Sequence, residues 1–218
     1  MALTKVIGAG LGTLTEDQVL GGATPTLTIG DAGAEDTKIV FDGNAQDYHI
    51  GLDDSADTLV IGKGSALGTT TAMSIDAAGI ITKPLQPAFM AVSQTMTNIA
   101  SGTTLTFGTE IFDQNADFSS NTFTAPVTGR YQLNFSGYIL NMDTDANYYQ
   151  VTVSTSNRDY NWLIDPNWAS DVLYWAANVN VLADMDASDT ALIRFYTSGG
   201  TQQADLDAGS FFSGYLVA

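Results

Sequence analysis

Residues Phe123–Phe135 read F-T-A-P-V-T-G-R-Y-Q-L-N-F. Pro126 has a fixed φ and no amide donor, so it interrupts a strand, and Gly129 tolerates backbone geometry that other residues resist. Together they predict a tight corner. Beyond it Tyr131, Leu133 and Phe135 alternate with Gln132 and Asn134. That is the period-two pattern of a strand with one buried face. Phe123 is placed to pack on the incoming side. The stretch therefore predicts an antiparallel strand entering an aromatic core.

The same pattern extends outward. Val151 and Val153 alternate with polar neighbours, as do Val179 and Val181. At the C-terminus Phe211, Ser213, Tyr215 and Val217 alternate with Phe212, Gly214 and Leu216. Turn clusters such as N-M-D-T-D-A-N and T-S-G-G-T separate these runs, and no segment carries a helical period. Residues 87–218 thus predict an antiparallel sandwich or jelly roll. Aromatic residues mark its start: before Pro87 only Phe41 and Tyr48 occur. Pro84 and Pro87 favour an extended linker there.

Residues 23–86 hold a degenerate repeat: T-L-T-I-G-D, K-I-V-F-D-G, Y-H-I-G-L-D-D, T-L-V-I-G-K-G and A-M-S-I-D-A-A-G. Each copy is a short alternating strand closed by Gly or Asp. One stripe would gather Leu27, Ile29, Ile39, Phe41, Tyr48, Ile50, Leu52, Leu59, Ile61, Met73 and Ile75. A single copy has too little bulk for its own core. Three chains wound together would bury the stripe and remove free strand edges, which predicts an intertwined β stalk. The alternative is a small β domain or β-roll. His49 falls between stripe positions and is expected on the strand surface. Residues 1–22 are Gly-rich and read as an attachment segment or a tail.

Composition narrows the function. The net charge of −17 opposes phosphate backbones and anionic lipid, so nucleic acid is not an expected partner. No apolar run reaches membrane-spanning length, so no membrane insertion is expected. The absence of Cys removes disulfides, thiol nucleophiles and thiolate metal sites. No P-loop or dinucleotide fingerprint occurs, and the single His cannot serve a triad across a domain boundary. The expectation is a binding or structural protein, not an enzyme. The N-terminus shows no secretory signal pattern, which points to release by lysis.

Residues 87–218 resemble the head of the C1q and tumour-necrosis-factor superfamily. P-A-F-M-A-V (87–92) is similar to that family's first strand. Phe123–Phe135 looks like its F-x-A-P-x-x-G-x-Y-x-F-x-F signature. S-F-F-S-G-Y-L-V (210–217) is similar to its terminal strand. The resemblance marks Phe123, Pro126, Gly129, Tyr131, Phe135, Phe212 and Gly214 as signature positions. It departs at Ser188-Asp189, where the family usually has Gly-Asp. It implies an all-β jelly roll and a homotrimer. No collagen-type Gly-X-Y repeat precedes the head, and the β repeat looks like those of phage fibres. The whole chain then reads as a trimeric virion appendage on the particle surface, a head or tail fibre. Residues 1–22 would dock on a capsid or tail protein. The head would contact a host surface glycan or protein, or decorate the capsid. The alternatives are a bacterial C1q-like adhesin and, less favoured, a depolymerising spike.

Two sets of site residues follow. The stretch from Tyr148 to Trp175 holds all three Trp. Tyr160, Trp162 and Trp168 flank turns there, and Arg158 offers a donor. Flat rings beside polar groups suit a sugar, but a core or trimer interface is the favoured reading. The acidic clusters Asp53, Asp54 and Asp57; Asp143 and Asp145; and Asp184, Asp186 and Asp189 are oxygen-rich enough for calcium. They lack EF-hand spacing, and turn formation explains them better. No other cofactor is expected.

Overall fold

A computed structural model describes residue 17, residues 19–199 and residues 204–218. The attachment segment expected at 1–22 falls mostly outside these. The described strands form three antiparallel sheets.

The N-terminal sheet is a meander of β1 (Thr37–Phe41), β2 (Tyr48–Asp53), β3 (Thr58–Lys63), β4 (Thr71–Ile75) and β5 (Ile81–Thr82). Turn chemistry closes it within one chain. Asp53 Oδ1 accepts from Ser55 Oγ (2.7 Å) and from the Ala56 amide (3.2 Å). Asp76 Oδ1 accepts the amides of Ala78 (2.9 Å) and Ile80 (2.8 Å). The repeat strands therefore pair with their own neighbours. The first expected copy does not join them. Leu27 and Ile29 lie outside any strand and are exposed. Pro25 and the left-handed Gly30 and Ala32 bracket that copy, and no strand lies outside β1 to receive it.

Register gathers the stripe on one face. Phe41 opposes Tyr48; Ile39, Ile50, Ile61 and Met73 form one cross-strand row; Leu52, Leu59, Ile75 and Ile81 form the next. The reverse face is covered by the chain itself. Lys38 Nζ donates to Ser65 O (2.7 Å), fastening the loop between β3 and β4. Beneath it His49 is fully buried, and its Nδ1 donates to Gly64 O (2.8 Å). The surface position expected for His49 is thus corrected. Alternation placed it opposite the stripe, but that side is covered too. Gly62 leaves the room: a Cβ there would lie 2.5 Å from His49 Nε2 and 2.8 Å from Thr70 O.

The head is a two-sheet sandwich of β6 (Ala88–Val92), β7 (Thr103–Thr104), β8 (Thr109–Asp113), β9 (Phe118–Ser119), β10 (Thr122–Thr124), β11 (Gly129–Met142), β12 (Tyr148–Thr155), β13 (Asp159–Ile164), β14 (Val172–Met185), β15 (Thr190–Ser198), β16 (Asp205–Leu206) and β17 (Phe211–Leu216). One sheet has the order β13-β12-β15-β10-β9, with β7 on β15. The other has β14-β11-β17-β6-β8, with β16 on β11. The neighbours are mostly out of chain order, as in a jelly roll.

Its core is aromatic. Phe89 stacks on Phe118 and on Phe123, each at 4.8 Å between centroids, and meets Phe212 edge-on at 5.0 Å. Tyr131, Leu133 and Phe135 are fully buried, as the signature stretch predicts. Tyr131 Oη donates to Val127 O (2.7 Å), tying the strand to the corner before it. Burial pushes this phenol up, which keeps it neutral at ordinary pH. Gly129 does not turn the corner through a left-handed φ, as its sequence position suggests. It starts β11 where a Cβ would lie 2.7 Å from Ala218 O. Gly214 leaves room for Leu133 and Phe89, each 2.8 Å from where its Cβ would stand. Ser188, at the departure from the signature, has φ 77°, the left-handed conformation that glycine adopts without penalty.

Candidate binding surfaces

β13 settles the orientation of two of the candidate aromatics. Trp162 opposes Val151 and Tyr160 opposes Val153, and both valines are buried. Opposed residues share a sheet face, so both rings point at the sandwich interior. They are half-buried and pack on the core. Burial pushes the Tyr160 phenol up, with the Arg158 charge opposing. The two side chains thus take the core position that the sequence allowed beside a sugar platform, because the register of β13, not the flanking turns, sets their face. Trp168 lies in the loop after β13 and stacks on Trp175 at 5.2 Å, also half-buried.

Arg158 stands beside Tyr160 and away from Trp168. Its Nη2 holds Asp184 Oδ2 at 2.8 Å, across two partly exposed side chains. The pair sits where β13 begins and β14 ends, and Trp168 follows the other end of β13. At a strand rise of about 3.3 Å per residue, the two ends of this six-residue strand are on the order of 15–20 Å apart. Of the expected aromatic-plus-arginine platform, Tyr160 stays near Arg158 and Trp168 is separated from it. Sequence adjacency suggested the platform, and the extended strand separates its two ends.

The acidic residues serve turns. Asp143 Oδ1 accepts the Asp145 amide (2.8 Å), and Asp189 Oδ2 accepts the Asp186 amide (2.8 Å). Asp184 is held by Arg158. Among the described residues no three His, Cys, Asp or Glu side chains converge to hold a metal ion.

The outward faces of the two head sheets differ. That of the β12 sheet is largely polar, with Leu163 exposed among it: Gln150 Nε2 donates to Thr152 Oγ1 (2.9 Å) and Asn161 Oδ1 (3.1 Å). Arg194 lies across from Thr152, and its Nε is buried without a hydrogen-bond partner. That of the β11 sheet carries large apolar groups. Leu182 and Tyr215 flank Gln132 on one rung, 55% and 49% exposed. Phe112, 49% exposed, stands two strands along from Ser213, beyond Met90. Sequence patterning did not single out this row, although Leu182, Tyr215 and Phe112 occupy the polar phase of their strands. Apolar residues in that phase were the available signal.

Residues 88–217 match the C1q domain family. The chain belongs to the C1q family. The C1q match covers the whole sandwich and stops short of the N-terminal sheet. C1q domains are binding and structural modules, and the signature residues here build a core, not a reaction centre. The globular domain of the zebrafish complement 1qA protein is similar over 61% of this chain and 98% of its own, at 16% identity and a TM-score of 0.48. Murine APRIL is similar over 61% of this chain and 99% of its own, at 10% identity and a TM-score of 0.45. No curated protein matches the sequence.

Proposed function

We propose that this C1q-like chain is a homotrimeric virion appendage, a phage fibre or spike whose N-terminal region docks on the particle and whose head faces outward. The observation that carries the assembly is the apolar outer face of the β11 sheet, with Leu182, Tyr215 and Phe112 open to solvent. Monomeric proteins rarely leave such a face wet, and large flanking apolar groups are the material of an interface. The virion reading is supported by the order of parts. A Cys-free acidic chain places a punctuated β repeat before a C1q head, where a collagen stalk would stand in an animal ligand.

Outward contact would use the end of the head where Leu173 and Tyr174 stand exposed beside the Trp168–Trp175 pair. β6 enters and β17 leaves at the opposite end. Three copies would present three such tips, so weak contacts to a host glycan or protein would add by avidity. Gold labelling of the chain on lysate particles, viewed by cryo-electron microscopy, tests the placement. Label on capsids or tails supports it. Label on cell envelopes alone replaces it with an adhesin. Light scattering should give three times 23.0 kDa.

A further inference from the structure

The N-terminal sheet lies outside the matched C1q span, and no described strand covers its apolar face. Phe41 and Tyr48 are 53% and 54% exposed, and every member of the row Ile39, Ile50 and Ile61 is exposed as well. The reverse face is not open in the same way, since the loop after β3 covers Val60 and His49. The sheet is therefore covered around Val60 and His49 on one side and open along the Ile39–Ile50–Ile61 row on the other.

Charge distribution identifies what suits the open side. The chain carries 24 acidic residues, yet the register puts none on this face. The one charged side chain in register with it is Lys63, opposite Tyr48 at its margin. Asp53 is paired with Thr58 on the reverse side. A surface made for a basic partner would display carboxylates. A surface that meets an identical acidic chain must exclude them, because like charges brought together out of water are costly.

We infer that this face is closed by the same face of two further copies of the chain, so that three sheets pack about one axis as a three-sided prism, each complete in itself and exchanging no strand. The number three rests on the trimeric reading of the head; the face-to-face packing rests on the sheet. The two parts are close in the chain. The linker is fixed to the head, with Gln114 Nε2 donating to Lys83 O (2.8 Å) and to Gln86 O (2.7 Å). Three heads on one axis therefore bring three sheets within reach of each other.

The chain has no Cys, so single-cysteine variants report cleanly. Ile50→Cys lies at the centre of the face and Ala66→Cys on the covering loop; Leu59→Cys serves should Ile50→Cys fail to fold. In the full-length trimer, maleimide should label Ile50→Cys on the order of tenfold or more slowly than Ala66→Cys. Mild oxidation should link Ile50→Cys chains into covalent dimers and leave Ala66→Cys unlinked. Equal labelling in a particle that still scatters as a trimer overturns the prism and leaves the head reading standing. Protection without cross-linking, lost on deleting residues 1–16, shows that the chain's own N-terminus covers the face and also overturns it. A monomer by scattering removes both.

Discussion

Ser188 shows how one side chain can conceal a family rule. The resemblance expects glycine before Asp189, and the backbone keeps the left-handed φ although serine stands there. The Ser188 amide still donates to Ala125 O (2.7 Å), so the turn is held by its neighbours at a conformational cost of about 1 kcal/mol. Ser188→Gly should therefore raise head stability by roughly 0.5–1 kcal/mol, read as a shifted urea midpoint at unchanged slope. No shift would mean that the turn relaxes around serine. The reverse case is Gly62, which makes room for His49 and the Thr70 carbonyl. Gly62→Ala should cost the N-terminal sheet about 1–3 kcal/mol by overpacking, seen as faster hydrogen exchange at β2 and β3 with the head unchanged. Sequence alternation made Tyr131, Leu133 and Phe135 legible because a strand's period fixes its faces. It could not show His49 as buried, because what covers the reverse face is a loop with no periodicity.

At the scale of elements, the strands were legible and their partners only partly so. Turn residues at 53–57 and 76–79 predicted the ends of the repeat copies. Whether those strands pair within or between chains is decided by turn hydrogen bonds such as those of Asp53 and Asp76, which composition does not resolve. β13 gives the sharper lesson. Its aromatics look like a platform when adjacent letters are read as adjacent in space, yet Trp162 faces the core and Arg158 is occupied by Asp184. Two substitutions separate these roles. Trp162→Ala should destabilise the head by roughly 1–3 kcal/mol, below the full cost for a buried Trp because the ring is half-exposed. Arg158→Ala should change stability by less than about 1 kcal/mol, since the pair is well solvated. Thermal melts of both variants check this; a silent Trp162→Ala would place the ring back at the surface.

For the whole molecule, the decisive opposition is between charge and apolar area. Each chain carries a net charge of −17, so assembling three of them works against mutual repulsion. The faces offered for assembly, Leu182 with Tyr215 on the head and the Ile39–Ile50–Ile61 row on the N-terminal sheet, carry no carboxylates on their central rungs. Among the described residues the one ion pair, Arg158–Asp184, lies within a chain. In the proposed trimer, attraction between copies would be hydrophobic, and the electrostatic part long-range and unfavourable. Added salt screens the second and leaves the first intact, since the Debye length falls from about 30 Å at 0.01 M to about 8 Å at 0.15 M. The trimer should therefore tighten as sodium chloride rises over that range, with dissociation at high dilution followed by light scattering or mass photometry. Weakening with salt would require ion pairs between copies, drawn from the seven Lys and Arg side chains of each chain, and would overturn the hydrophobic account.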